Sequence, residues 1–247
     1  LNERQTKIFN TICKEPKVTV KELSLIMEVS EVTIRKDLSA LEDEGLIKRT
    51  HGGVAQINSN EIEKRLHFRY EEKLKIVNKA IELIEDGDTI LVEAGSTNTL
   101  LAREISKRKK INIITNSLYI AEMLKENENA KITLLGGELQ KDSEAMVGPI
   151  TKLCLKQLYV DKAFIGMDGF SEKLGFTCGD FLRAEIGKEM ASRAKNVVVL
   201  AEASKFENVG VTSIVKLDEV STIITDYGIQ KERLEILKKY KMEVIVI

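Results

Sequence analysis

Seven short apolar runs recur along the last two thirds of the chain: 89–92, 111–114, 132–135, 163–165, 197–200, 222–224 and 244–247. Each is three or four residues long and rich in Ile, Val and Leu, too short for a buried helix and suited to a strand. Helical patterns separate most of them, the clearest at 99–107, 118–125 and 183–194. Strands that are apolar at every position bury both faces. Alternation with helices therefore implies a mainly parallel sheet covered on both sides, of the Rossmann-like α/β kind. In such sheets ligands bind beyond the carboxyl ends of the strands, so the residues that follow each run carry the functional information.

Small and polar residues collect there. After the first run comes Glu93-Ala94-Gly95-Ser96-Thr97-Asn98 and then a helix. Gly95 allows close backbone approach, the helix start offers free N–H groups, and the hydroxyls of Ser96 and Thr97 donate further bonds, which suits a phosphate cradle, although a Ser/Thr after a strand more often serves only as a helix cap. It lacks the Gly-Lys-Ser/Thr ending of a nucleotide-binding loop. Later ends read Thr115-Asn116-Ser117, Gly136-Gly137-Glu138, Gly166-Met167-Asp168-Gly169 and Ala203-Ser204-Lys205. Any one of them alone is turn chemistry, whereas several at one end of a sheet suggest a polar pocket. Lys205 suits neutralising a phosphate, and Asp168 and Glu185 suit accepting bonds from sugar hydroxyls. Glu185 reads equally well as a solvated helical neighbour of Lys188 or Glu189. The expected effector set is Glu93, Gly95, Ser96, Thr97, Asn116, Ser117, Asp168, Gly169, Glu185 and Lys205.

The first sixty residues differ in pattern. Asn2 caps a helix with the apolar face Ile8, Phe9 and Ile12, ended by Pro16. Thr19 with Glu22 three residues on forms a capping box for a second helix. A tight turn at Glu28-Val29 leads to a third helix from Ser30, with Ile34, Leu38 and Leu41 on its buried stripe and Gly45 as its C-cap. Two extended arms around Gly52-Gly53 follow as a wing. This is a winged helix-turn-helix. Residues 1–57 hold nine Lys plus Arg and nine Asp plus Glu, so their distribution matters more than their sum. The cationic groups fall on the third helix's first turns and the wing, which suits one edge facing DNA. The expected DNA contacts are Ser30, Thr33, Arg35, Lys36, Lys48, Arg49, His51 and Gly52.

With a formal net charge of -1, the chain is not coated in positive charge and contacts nucleic acid through a local patch. Three scattered cysteines and two histidines make a metal site improbable, and no cofactor is expected. The sparse cysteines fit a reducing cytoplasm, the charged start lacks a signal-peptide core, and no apolar run is long enough for a bilayer, so no membrane partner is expected. The expected organisation is a DNA-binding domain over 1–56, a charged linker over 57–73, and a sensor and oligomerisation domain over 74–247.

Two resemblances extend this reading. Val29-Ser30-Glu31-Val32-Thr33-Ile34-Arg35-Lys36-Asp37-Leu38, Leu41-Glu42 and Gly45 through Gly53 resemble, over residues 3–55, the N-terminal winged helix of DeoR-type bacterial transcription regulators. Ala94-Gly95-Ser96-Thr97, Ile114-Thr115-Asn116-Ser117, Leu135-Gly136-Gly137-Glu138-Leu139, Val147-Gly148-Pro149, Ala184-Glu185-Ile186-Gly187-Lys188 and Ser204-Lys205-Phe206 resemble the family's sensor domain over roughly 74–226. That domain is similar in turn to ribose-5-phosphate isomerase, which implies that Gly95, Ser96, Thr97 and Lys205 hold a phosphate. Glu93 stands where the family commonly has Asp, and Asn98 where a third hydroxyl is common. The isomerase's lysine- and glycine-rich segment is not evident after Asp168. The resemblance implies a repressor of a sugar-catabolism operon, released or modulated by a phosphorylated sugar, and working on operator DNA as a homo-oligomer, dimer or tetramer. A sugar-phosphate isomerase with a DNA-binding appendage is the alternative, since Asp168 and Glu185 are candidate acid and base groups.

Overall fold

A computed structural model of the chain describes residues 2–15, 18–43, 47–50, 53–56 and 62–247. It contains two compact units, Leu1–Tyr70 and Glu71–Ile247.

In the first unit, α1 (Glu3–Lys14), α2 (Val20–Met27) and α3 (Glu31–Asp43) precede a hairpin of β1 (Ile47–Thr50) and β2 (Gly53–Gln56), and α4 (Ile62–His67) follows. Local chemistry sets the helix starts. The Asn2 side chain accepts the Gln5 N–H at 2.9 Å while the Gln5 side chain accepts the Asn2 N–H at 3.0 Å. Thr19 and Glu22 close a second reciprocal box at the start of α2. Glu28 ends α2 in the left-handed region at φ 54°, turning the chain sharply toward α3. Ile8, Phe9, Ile12, Leu23, Ile34, Leu38, Leu41 and Ile47 form the core. Arg4 grips the buried carboxylate of Asp37 with two nitrogens at 2.6 and 3.2 Å, locking α1 to α3. The arms of the wing pair antiparallel from Ile47 opposite Gln56 to Thr50 opposite Gly53. The C-cap expected at Gly45 lies outside the described residues.

Across the stretch expected as a linker, residues 57–61 lie outside the described residues. From Ile62 the chain is helical, Phe68 packs against the first unit's core, and the Arg69 N–H donates to Asn10 Oδ1 at 3.0 Å.

The second unit opens with α5 (Tyr70–Ile81), most of which lies within it. There follow β3 (Thr89–Val92), α6 (Ser96–Ile105), β4 (Ile111–Thr115), α7 (Leu118–Leu124), β5 (Ala130–Leu134), β6 (Glu138–Gln140), β7 (Ala145–Val147) and α8 (Gly148–Leu155). Next come β8 (Val160–Ile165), β9 (Gly169–Ser171), β10 (Gly175–Cys178), α9 (Phe181–Ser192), β11 (Ala194–Leu200), β12 (Thr212–Val215), β13 (Thr222–Thr225), α10 (Lys231–Lys238) and β14 (Glu243–Val246). The seven apolar runs correspond to the seven strands of one sheet, in the order β14-β13-β11-β8-β3-β4-β5, with every neighbouring pair parallel. Two antiparallel additions are absent from the sequence reading: the β6–β7 hairpin and a three-stranded sheet in the order β12-β10-β9. The latter is closed by glycines with no room for a side chain. A Cβ on Gly169 would lie 2.6 Å from the Asn208 carbonyl oxygen.

The strand order contains one reversal. From β3 the chain moves outward through β4 and β5, then returns to the other side of β3 with β8 and continues outward through β11. The loops after β3 and β8 therefore part in opposite directions, leaving a crevice at the carboxyl end of the sheet, where such folds receive ligands.

Candidate functional site

On α3 the buried stripe is Ile34, Asp37, Leu38 and Leu41, and the outward stripe is Val32, Arg35, Lys36 and Ser39. Ser30 accepts the Thr33 N–H at 3.2 Å, and the two hydroxyls lie 2.9 Å apart. Both expected contacts are thus engaged in the helix cap. Arg35 is exposed and lies 3.4 Å from Glu31 one turn earlier. Lys48 and Arg49 belong to β1, and His51 and Gly52 lie outside the described residues.

At the crevice, four strand ends supply the groups. Glu93, directly after β3, is buried, and its Oε2 accepts the Gly166 N–H beyond β8 at 2.7 Å. Asn116, after β4, accepts the Ala94 N–H at 2.9 Å and donates to the Met146 carbonyl at 3.1 Å. Ser117 caps α7 through the Ile120 N–H at 3.2 Å. Asn116 and Ser117 are sealed from solvent, and Asn116 braces the loop after β3. Gly95 is the N-cap of α6, and no side chain caps that helix, so Ser96 and Thr97 stand at a helix start whose first N–H groups are not taken by a cap. Asn98, in the first turn of α6, donates to the Phe164 carbonyl at 3.2 Å, while its Oδ1 has no hydrogen-bond partner among the described residues.

The charged side of the crevice centres on Asp168, whose Oδ2 lies 2.8 Å from Arg183 Nη2, 3.0 Å from the Gly179 nitrogen and 3.3 Å from the Cys178 sulfur. Burial works to raise the Asp168 pKa, but Arg183, the Gly179 N–H, Cys178 and Lys205 together hold it below the usual carboxylate value. Burial, with help from Asp168 and Glu93, pushes the Cys178 thiol up to about 12 despite Arg183, so this sulfur is an inert proton donor at neutral pH. Lys205 sits half-buried in the 3-10 turn Ala203–Glu207 after β11, within electrostatic reach of Asp168 and Glu202.

The fold therefore gathers Glu93, Gly95, Ser96, Thr97, Asp168 and Lys205 at neighbouring strand ends, with Asn116 and Ser117 behind them. It places two candidates elsewhere. Gly169 is pressed against the Asn208 backbone as part of β9. Glu185 is more than half exposed and lies 3.5 Å from Lys152 of α8. The face of α9 turned to the crevice carries Arg183 and, one turn on, Gly187, where an added Cβ would lie 3.4 Å from Glu93 Oε1. Sequence reasoning missed Arg183. The available signal was the four-residue step from Arg183 to Gly187, a cation and a gap on one helical face. Among the described residues no group of three His, Cys, Asp or Glu is placed to hold a metal ion, and no helix is long and apolar enough to cross a membrane.

Residues 4–60 match the DeoR-like helix-turn-helix domain and residues 69–227 match the DeoR C-terminal sensor domain. The chain belongs to the DeoR family of transcriptional regulators. It is 34% identical to the HTH-type transcriptional regulator GolR of Listeria innocua, over 93% of this chain and 92% of that protein. It is also 34% identical to the lactose phosphotransferase system repressor of Lactococcus lactis, over 96% and 95%. With the putative aga operon transcriptional repressor of Escherichia coli O157:H7 it shares 28% identity over 100% and 94%. Among solved structures, ribose 5-phosphate isomerase A from Methanocaldococcus jannaschii aligns with a TM-score of 0.42 and 24% identity over 56% of this chain and 55% of that one, a likeness too distant to carry an argument.

Proposed function

We propose that the chain represses a sugar-catabolism operon in the cytoplasm, binding operator DNA through its N-terminal unit and responding to a phosphorylated sugar held in the crevice of its C-terminal unit. The observation that carries the effector reading is the uncapped start of α6 at the point where the strand order reverses, with Lys205 in the turn after β11 and Arg183 in the first turn of α9 beside Asp168. A phosphate dianion takes up the free N–H groups of α6 and the hydroxyls of Ser96 and Thr97, and Lys205 neutralises it. Asp168 and Glu93 accept from the sugar hydroxyls. The names of two relatives, a lactose phosphotransferase system repressor and a putative aga operon transcriptional repressor, support the sugar assignment.

The crevice binds without turnover. Sugar-phosphate isomerisation needs a mobile carboxylate base beside the reacting carbon. Here Glu93 is engaged by the Gly166 N–H, Asp168 is held by Arg183, and Glu185 faces Lys152. The protein acts as a homo-oligomer, because a helix-turn-helix dimer reads half-sites about 34 Å apart, or a multiple of that spacing.

The test is a thermal-shift screen of the full chain against pentose and hexose phosphates, followed by operator release with each hit. A ligand at about 100 times its Kd stabilises by roughly 2.7 kcal/mol, which is readily seen. A panel in which no sugar phosphate raises the melting temperature would remove the effector assignment. Measurable isomerisation of a hit would restore the enzyme reading.

A further inference from the structure

The outward stripe of α3 holds one residue that DNA phosphates do not explain. Val32 is 64% exposed in the first turn, in line with Arg35, Lys36 and Ser39 at helical steps of three, four and seven. The rest of the stripe is polar or cationic, and its hydrogen-bonding capacity is partly spent. Ser39 donates back to the Arg35 carbonyl at 3.0 Å, and the hydroxyls of Ser30 and Thr33 are occupied with each other beside the stripe. Val32 is not part of the unit's core, to which α3 contributes Ile34, Leu38 and Leu41 from its opposite face. An exposed β-branched side chain at the second position of a helix also has a slightly unfavourable propensity. Its stability cost and its position both point outward, to what the helix meets.

Resting on the reading of α3 as the groove-facing helix, we propose that Val32 is a specificity residue that packs against the 5-methyl group of a thymine in each operator half-site. In the major groove the only apolar feature on a base edge is that methyl group, and the residues that reach base edges are those of the recognition helix's first turns. Removing one buried methyl from such a contact lowers affinity about three- to fivefold. Arg35 and Lys36, the next members of the stripe, are left for guanine edges and phosphates.

The experiment uses the full chain. Selection from a random DNA pool first defines a preferred site. Each thymine of a half-site is then replaced singly by deoxyuridine, which removes the methyl and nothing else, and affinity is measured for the wild type and for Val32→Ala. The substitution is at an exposed helical site and leaves the core intact. Expected is one position per half-site at which uracil weakens the wild type about three- to fivefold while Val32→Ala binds thymine and uracil equally. Indifference of the wild type to uracil at every position, or a thymine preference that persists in Val32→Ala, overturns the assignment while the DNA-binding reading stands. Failure of the selection to yield any preferred site overturns both.

Discussion

Lys73 Nζ lies 2.9 Å from Glu202 Oε1, and both side chains are closed off from solvent. Lys73 belongs to α5, and Glu202 immediately precedes the turn that carries Lys205. Burial lowers the Lys73 pKa, with Glu202 opposing. At Glu202 burial works upward, but Lys73 and then Lys205 outweigh it and hold the carboxylate low. The pair ties the first helix of the sensor unit to the strand end that presents Lys205. Breaking such a pair from one side leaves an uncompensated buried charge, at a cost of about 3–5 kcal/mol. Lys73→Ala is expected to lower the stability of the C-terminal unit by that order in denaturant unfolding, and Lys73→Met combined with Glu202→Leu to recover most of it. Equal losses in the single and double variants would show that the stability resides in packing.

The same carboxylates set the acid limit. The folded-state pKa values of Asp168 and Glu202 are both depressed: burial alone raises each, but Arg183 outweighs it at Asp168 and Lys73 at Glu202. A depressed folded value means that the native state binds fewer protons than the unfolded chain. The stabilisation is then complete above the unfolded carboxylate pKa of about 4 and is lost as pH falls through the folded values. Melting temperature should hold from neutral pH to about 5 and fall below about 4. Asp168→Asn should be less stable at neutral pH and show a shallower acid fall. An unchanged acid profile in that variant would remove Asp168 as a contributor.

Lys205 and Arg183 separate into different phenotypes. Lys205 acts on the scaffold through its field on Asp168, Glu202 and Lys73. Lys205→Ala should lower sugar-phosphate affinity about tenfold to a hundredfold, since a hydrogen bond to a charged group contributes about 1.5–3 kcal/mol, with operator affinity unchanged. Arg183 also holds Asp168 at 2.8 Å, so Arg183→Gln should lose ligand affinity and also about 1–3 kcal/mol of stability. Titrating ligand by calorimetry and unfolding each variant checks both. An intact ligand response in Lys205→Ala would exclude Lys205 from the phosphate site.

The parallel sheet is legible in the sequence because strands buried on both faces are apolar at every position, as in Val197 to Leu200. The antiparallel additions are not. β9 is only Gly169-Phe170-Ser171, and β10 pairs with β12 across more than thirty residues, Cys178 opposite Thr212, with an irregularity between Phe176 and Thr177. No local pattern encodes such a partner. The proposed phosphate loop can be picked out in the sequence because its backbone and hydroxyl chemistry is local to Gly95–Thr97. Arg183 is not, because its role depends on a carboxylate fifteen residues away that only the fold brings within 2.8 Å. Glu185 stands two residues from Arg183 on α9, a step that turns its side chain to another face of the helix, where it lies 3.5 Å from Lys152.

On the DNA side, Arg35 and Lys48 should divide labour. Arg35 stands on the outward stripe of α3, where a guanidinium can take both acceptors of a guanine edge, whereas Lys48 is in the first arm of the wing, suited to phosphate. Arg35→Ala is expected to cost about 1–3 kcal/mol on the preferred site and much less on random DNA, compressing the specificity ratio. Lys48→Ala is expected to weaken binding alike on all sequences and to reduce the slope of log affinity against log salt by about 0.9, the loss of one neutralised phosphate. Binding isotherms for both variants on preferred and random duplexes, across a salt series, distinguish the two. If both substitutions compress specificity equally and leave the salt slope unchanged, the helix and the wing do not share recognition in this way.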